Sequence, residues 1–390
     1  MHPKLICAAA LLAGFAQAHA EHYTFTPISG REVVTFTAPA LNDAGTIAQG
    51  VSASPSQRFD VWPRGGGPTT LLDTSGNFAS FTALSPIPLN NNETIAFRGT
   101  LDSGVEGIYT FGPSGLRTIA DTTGPFSGFG TPPSLPAFND AGQVSFTADL
   151  RSGGSGLFRG DGSTTMTFAS TTGGMFSSFS SLAVSSNNRG DTAAVGNLAG
   201  GGQALLLSSA GGPAKPIVDT SGPISSFGSL FALNDSGAIS FVANLDAGGQ
   251  SVFLWDSGTL MPIMSTSGAI TALSNPSINE RGTVSFFTSE SGARLAIYTY
   301  TPGSGVQRLI GAGDPLFGSM LSLSGAPNRG VFTSVNSLNN FDELAFEAVL
   351  EDGRRLTVLA SPIPEPSTLA LLAVGLGAAS SLIRLTKQTP

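Results

Sequence analysis

Between residues 238 and 245 apolar and polar side chains alternate. Ile239, Phe241 and Ala243 fall on one side, and Ser240, Val242 and Asn244 on the other. This imperfect period of two predicts a half-buried strand. Similar short runs at 229–233, 250–255 and 259–264 predict three more strands around it. Asn234-Asp235-Ser236-Gly237 and the glycine-rich Leu245-Asp246-Ala247-Gly248-Gly249 supply two of the turns. The pattern is one copy of a repeat. Phe138-Asn139-Asp140-Ala141-Gly142-Gln143-Val144-Ser145-Phe146 and Ile278-Asn279-Glu280-Arg281-Gly282-Thr283-Val284-Ser285-Phe286 match it closely. Four divergent copies begin at Asn42, Asn90, Asn187 and Asn339, so the leading Asn recurs at 42, 90, 139, 187, 234, 279 and 339.

Turn chemistry explains the Asn-x-x-Gly core. Asn caps the turn with its side chain, and Gly takes a positive φ at the end of a type I turn plus bulge. A residue with a Cβ in that conformation costs roughly 1–2 kcal/mol, less for Asp or Asn. Asp342 is therefore a tolerable substitute for Gly, and Glu93 is the least comfortable copy. Four antiparallel strands per 45–50 residues is the period of a β-propeller blade. Tandem sandwich domains would need about twice that length per unit. The seventh copy has three predicted strands, 332–338, 343–350 and 355–360. Residues 23–26 (Tyr-Thr-Phe-Thr) align with fourth strands such as 165–168. The expectation is an all-β, seven-bladed propeller spanning 21–361, closed by an N-terminal strand that also hides sheet edges.

Composition agrees with this picture. The 390 residues include 50 Gly and 25 Pro, only 11% are charged and 41% are hydrophobic. A glycine-rich chain without a Gly-X-Y period suits many short strands and turns rather than collagen. The net charge is −8. Residues 21–361 alone carry 25 acidic and 15 basic residues, because Glu365 falls away on one side and Lys4, Arg384 and Lys387 on the other. An acidic domain without a basic run argues against nucleic acid as a partner.

Both ends read as addresses. Residues 1–20 combine Lys4, an apolar run at 5–15 and Ala18-His19-Ala20, the pattern of a cleavable signal peptide, which makes Glu21 the expected mature N-terminus. Cys7, the single cysteine, lies inside that segment, so the mature chain has no thiol. Residues 362–390 begin with Pro364-Glu365-Pro366, followed by 17 uncharged residues at 367–383 and then Arg384 and Lys387. Seventeen residues is the short limit for a transmembrane helix, and the basic tail would stay cytoplasmic. The arrangement over 363–387 resembles the PEP-CTERM sorting signal of Gram-negative bacteria, although that family usually ends in a dense Arg run. The resemblance implies transient membrane anchoring and an exosortase-type processing enzyme as partner.

The repeats over about 21–360 resemble exported bacterial proteins with tandem Asn-x-x-Gly-x-x-Ala-Phe motifs and varied C-terminal anchors, the choice-of-anchor type. That resemblance implies a surface or secreted propeller without an assigned activity. Catalytic candidates are few. His22 and Lys215 are the only mature histidine and lysine, which disfavours a Ser–His–Asp triad, a histidine zinc site or a Schiff base. Asp73, Asp121 and Asp219 recur in Asp-Thr-x-Gly segments between blades, with Asp314 similarly placed. They read as Ca²⁺ ligands, as glycosidase-like acids, or as caps that hold backbone turns. Ser170 and Ser265 in their place favour turn caps. Trp62, Trp255, Tyr109, Tyr298 and Tyr300 fall on third strands, where packing competes with sugar stacking. Phe-rich links such as Phe126-Ser127-Gly128-Phe129 and Phe176-Ser177-Ser178-Phe179 read as inter-blade packing. The insertion at 314–331 is the best loop for a ligand. No catalytic residue and no cofactor is assigned. The expected function is a non-enzymatic exported propeller binding a glycan, matrix polymer or surface protein; the alternative is a carboxylate-dependent glycan hydrolase or lyase.

Overall fold

The computed structural model describes residues 23–30, 34–35, 37–53, 56–82, 87–130, 136–209, 211–292, 294–322 and 337–363. It is a closed seven-bladed β-propeller. Each blade is an antiparallel sheet; in the first six the strands run in chain order from the channel outwards, and in the seventh the outermost strand is the N-terminal one. In the fifth blade these are Ile224–Leu233, Ile239–Leu245, Gln250–Asp256 and Thr259–Ser265. The sole helical element among the described residues is a 3-10 turn, Thr171–Gly173.

Inner strands are longer than the periodicity predicts. In the fifth blade Ile224 already pairs with Leu245, and the register slips between Phe227 and Phe231 before pairing resumes. The Phe-rich links are thus the first halves of inner strands, not connectors. Phe126 pairs with Leu150 and packs edge-on against Phe146 and Phe158, with centroids 5.6 and 5.0 Å apart. The two halves are separated because the inner strand must bend where the blades converge, and a bulge provides that bend.

Alternation sends one face of each second strand towards the preceding blade and the other towards the next. The apolar core is accordingly divided into seven clusters, one at each joint between neighbouring blades. The joint between the last and first blades is built like the rest, from Ala345 and Leu359 against Leu41, Ile47, Val51 and Trp62. Trp62, Tyr109 and Tyr298 are buried in these joints, and Trp255 and Tyr300 pack against them. The aromatic residues of the third strands are core.

Closure follows the expected route. The N-terminal strand, Tyr23–Gly30, pairs antiparallel with Arg355–Pro362 and completes the seventh blade. Tyr23 and Phe25 turn inwards and Thr24 and Thr26 outwards. Phe25 meets Phe346 edge-on at 6.1 Å. Burial, and then the Asp342 carboxylate, push the Tyr23 phenol up to about 12. The expected inner strand at 332–338 lies outside the described residues except for its end, where Leu338 bridges to Leu344. Residues 1–22 and 364–390, which contain His22, the signal-peptide pattern and Pro364, Glu365 and Pro366, also lie outside them. Among the described residues no helix is long and apolar enough to cross a membrane.

The Asn turns and the turns between third and fourth strands share one face, here the hub face. Arg64, in a turn of the second kind, donates to the carbonyl of Ala44 at 3.2 Å and to Glu343 of the seventh Asn turn. The blade-to-blade links and the turns between second and third strands form the opposite, link face, where Asp102 N–H meets the carbonyl of Asn77 and Asp246 N–H that of Pro223.

At the fourth turn position Gly45, Gly142, Gly190, Gly237 and Gly282 have φ between 77° and 93°, and Glu93 and Asp342 adopt 56° and 60°. A Cβ on Gly142 would meet nothing within 4 Å, so Gly142→Ala reads backbone strain alone. Chemical denaturation should show a loss of about 1–2 kcal/mol; a loss near zero would remove conformation as the reason for glycine at this position.

Candidate functional site

The seven repeat asparagines come together at the hub face. Asn42, Asn90, Asn139, Asn187, Asn234, Asn279 and Asn339 are all buried, and each side chain makes the same two kinds of hydrogen bond. Its Oδ1 accepts the N–H four residues on, at 2.8–3.0 Å, which holds the local turn. Its Nδ2 donates to the carbonyl of the equivalent Asn in the next blade at 2.9–3.3 Å. The last of these runs from Asn339 to Asn42, so the chain of amides is a closed circle.

A second circle lies beside it, made by residues that the repeat alone does not single out. Asp43, Asn91, Asp140, Asn188, Asp235, Glu280 and Asn340 follow the seven asparagines. The backbone N–H of each donates to the side-chain oxygen of the next at 2.6–2.9 Å. Side chains also link to one another. Asn91 Nδ2 bridges Asp43 and Asp140, Asn188 Nδ2 bridges Asp140 and Asp235, and Asn340 Nδ2 reaches Asp43. The signal is present in the sequence: every position after a repeat Asn is an acid or an amide.

Acid and amide alternate around this circle, but seven is odd, so alternation must fail once. It fails at Asp235 and Glu280, where two acids are neighbours. Partial desolvation at the channel mouth, followed by the nearby Asp235 and Asp43 carboxylates, pushes the Glu280 carboxyl above its ordinary value, against the backbone donor of Asp235. A raised carboxyl pKa favours the native state when protonated. The contribution is full below the unfolded value, about 4.3, and is lost as pH rises through the folded value. Glu280→Gln removes it. Melting temperature from pH 4 to 7 should therefore fall less, or rise more, in the variant than in the parent protein; parallel profiles would refute this.

The circles surround a cavity of about 150 Å³ at the channel mouth. Leu41, Leu89, Phe138, Leu233, Ile278 and Leu338 also line it, with Ser186 in the equivalent place of the fourth blade, but the surface it exposes is polar. A cavity this size accommodates a few waters or a small organic group. The mouth is acidic, but its carboxylates already accept backbone and amide donors. Among the described residues no three histidine, cysteine, aspartate or glutamate side chains are grouped to hold a metal ion.

The inter-blade aspartates lie on the other face and hold turns. Asp73 Oδ1 accepts the N–H of Ser75 at 2.9 Å and its hydroxyl at 2.6 Å. Asp121 does the same with Thr123 and Asp219 with Ser221. Ser170 takes over the role, accepting Thr172 N–H. The Ser75 hydroxyl and N–H lower the Asp73 pKa, and Ser221 acts likewise on Asp219. The following threonines, Thr74, Thr122, Thr171, Thr220 and Thr266, each accept an N–H from the third strand. Asp314 is bound by the Arg308 guanidinium at 2.6 Å and by Gly311 N–H at 2.8 Å. Lys215 begins the outer strand of the fourth blade and is exposed. These residues are dispersed around the ring and build no shared pocket.

The architecture recurs in solved structures at low identity. An oligogalacturonate lyase from Vibrio parahaemolyticus superposes with a TM-score of 0.56 at 10% identity, covering 87% of this chain and 94% of the lyase. Prolyl oligopeptidase B from Galerina marginata gives 0.52 at 10% identity over 85% of this chain and 48% of the peptidase. The BP39L lectin from Burkholderia pseudomallei gives 0.50 at 12% identity, covering 84% and 99%. These likenesses establish the propeller fold. No curated protein matches the sequence. Residues 26–370 match the family of unknown function DUF7453, and the chain belongs to that family.

Proposed function

We propose that the protein is an exported, non-enzymatic propeller, retained at the cell envelope through residues 362–390 and binding a glycan, matrix polymer or protein partner. One observation carries the binding half of this reading: the acids that could serve catalysis are engaged in structure. Asp73, Asp121 and Asp219 hold link-face turns. The hub acids accept backbone N–H groups of neighbouring blades. A general acid or nucleophile needs a carboxyl free to change its protonation or bonding partner. Carboxylates fixed in turns instead give a rigid frame on which exposed loops are displayed. The export half rests on the terminal sequence patterns and their resemblance to PEP-CTERM proteins.

A screen of residues 21–363 against glycans, exopolysaccharides and envelope proteins, with turnover assayed on every polymer, tests the first half. Saturable binding without bond cleavage is the expected result, and cleavage of a polymer would overturn it. Deleting residues 363–390 tests the second half. The protein should leave the membrane fraction for periplasm or medium; unchanged fractionation would refute anchoring.

A further inference from the structure

We infer that the hub face is the membrane-proximal face of the propeller and that the link face points away from the bilayer, an inference that rests on the anchoring proposed above. The predicted apolar segment 367–383 follows the strand Arg355–Pro362, which ends at one corner of the fold. Tyr23, the first described residue, pairs directly with Pro362. That corner belongs to the hub face. Ser361 donates to the Glu343 carboxylate at 3.0 Å, and Glu343 closes the seventh Asn turn, where its other oxygen accepts Asn339 Nδ2 at 2.8 Å. Arg64 of the first blade binds the same carboxylate from the hub side.

Chain length then sets the orientation. Only residues 363–366 separate Pro362 from the uncharged stretch, and four residues span at most about 14 Å. Two of them, Pro364 and Pro366, stiffen the tether by fixing φ. The seven-residue second and third strands that separate the two faces are about 23 Å long. An anchor that short reaches the bilayer easily from the hub corner and cannot do so from the far face. Apart from Cys7 in the predicted signal, the chain has no cysteine, so one introduced thiol can be labelled uniquely.

Phe341→Cys places a label on the hub face of the seventh blade, at an exposed side chain, and Glu351→Cys places one on the link face of the same blade, in an exposed turn. Each chain of residues 21–390, which lacks Cys7 and keeps the C-terminal segment, is reconstituted into phosphatidylethanolamine–phosphatidylcholine vesicles carrying a headgroup spin-label quencher. Quenching should be several-fold stronger at position 341. Ser163→Cys and Ser152→Cys, on the hub and link faces of the third blade, repeat the comparison with independent substitutions. Flotation of the same samples separates the two levels of the inference. A chain that does not float with the vesicles refutes anchoring and the orientation with it. A chain that floats but is quenched equally, or more strongly, at 351 and 152 leaves anchoring intact and overturns the orientation.

Discussion

Replacing Asn234 by Asp should destabilise the propeller by about 3–5 kcal/mol near neutral pH, the usual cost of an uncompensated buried charge. The substitution keeps the oxygen that accepts Ala238 N–H at 2.8 Å and the Ser236 hydroxyl at 2.7 Å. It reverses the other half of the side chain. Where Nδ2 donates to the Asn279 carbonyl at 3.0 Å, a carboxylate oxygen would face that carbonyl, within a turn that also carries Asp235. Protonation repairs the defect, because a neutral carboxyl can donate its O–H to the same carbonyl. The folded pKa of the new Asp is therefore raised above its unfolded value of about 3.9. Its penalty should shrink below that value and grow as pH rises through the folded pKa. Asn234→Ala is the control. It leaves the Ala238 N–H unpaired, at about 1–3 kcal/mol for a buried group, and takes one of two donors from the Asn279 carbonyl, which keeps the Gly282 N–H, without that pH dependence. Urea unfolding of both variants at pH 4 and pH 7, each referred to the parent protein, distinguishes them. If Asp and Ala variants lose the same stability at both pH values, the inter-blade hydrogen bond is not what the asparagine supplies.

This pair of roles also marks how far the sequence can be read. The local role of each Asn is legible, since turn chemistry is decided within five residues and Gly, Asp or Glu at the fourth position reports it. Blade number and closure are legible for a related reason. A strand's alternation and a three-stranded last copy are visible in one dimension, and Tyr23–Gly30 pairs with Arg355–Pro362 where the alignment of fourth strands puts it. The circle itself is not legible. Asn234 Nδ2 bonds a carbonyl 45 residues away, and Asn339 reaches back 297 residues to Asn42. No local pattern encodes those distances; they exist only after the ring has closed.

The same limit applies to the second circle. An acid or amide after every repeat Asn is easily seen, but its meaning depends on neighbours in space. Only with Asp235 and Glu280 side by side does the odd number of blades become a chemical fact. The Phe-rich links do pack between blades, as their sequence suggests, but their place as connectors misleads for a different reason. Phe126 and Phe129 sit next to turn-like Ser and Gly, so composition suggests connection. Their contacts with Phe146 and Phe158 make them part of a bent inner strand. The link-face aspartates are legible as turn caps because their partners, Ser75, Thr123 and Ser221, lie two residues away.

Removing residues 21–30 should cost the propeller more than any change in a single turn, although the deleted segment lies on the outer edge of one blade. Three losses coincide. Tyr23 and Phe25 pack against the cluster between the sixth and seventh blades, and their partial burial is worth about 2–3 kcal/mol together. The ladder from Tyr23–Pro362 to Gly30–Leu356 disappears. The strand Arg355–Pro362 becomes a bare edge, a template for pairing with another chain. Thermal unfolding should show a lower midpoint, and size-exclusion chromatography should show oligomers that the parent protein lacks. A deletion can also act through poor export or expression, so a second variant isolates the strand itself. Tyr23 and Pro362 are paired residues, and a short flexible loop joins them without strain. A circular permutant with that loop, reopened between Gly248 and Gly249 in an exposed link-face turn, retains every blade but moves the chain ends to the fifth. It should fold as a monomer with the seventh blade closed by a continuous hairpin. A permutant that fails while the simple deletion remains monomeric and stable would show that the ring is closed by the Asn circle alone. The expected opposite result assigns separate tasks: the N-terminal strand caps the seventh blade, and the hub hydrogen bonds hold the seven blades in register.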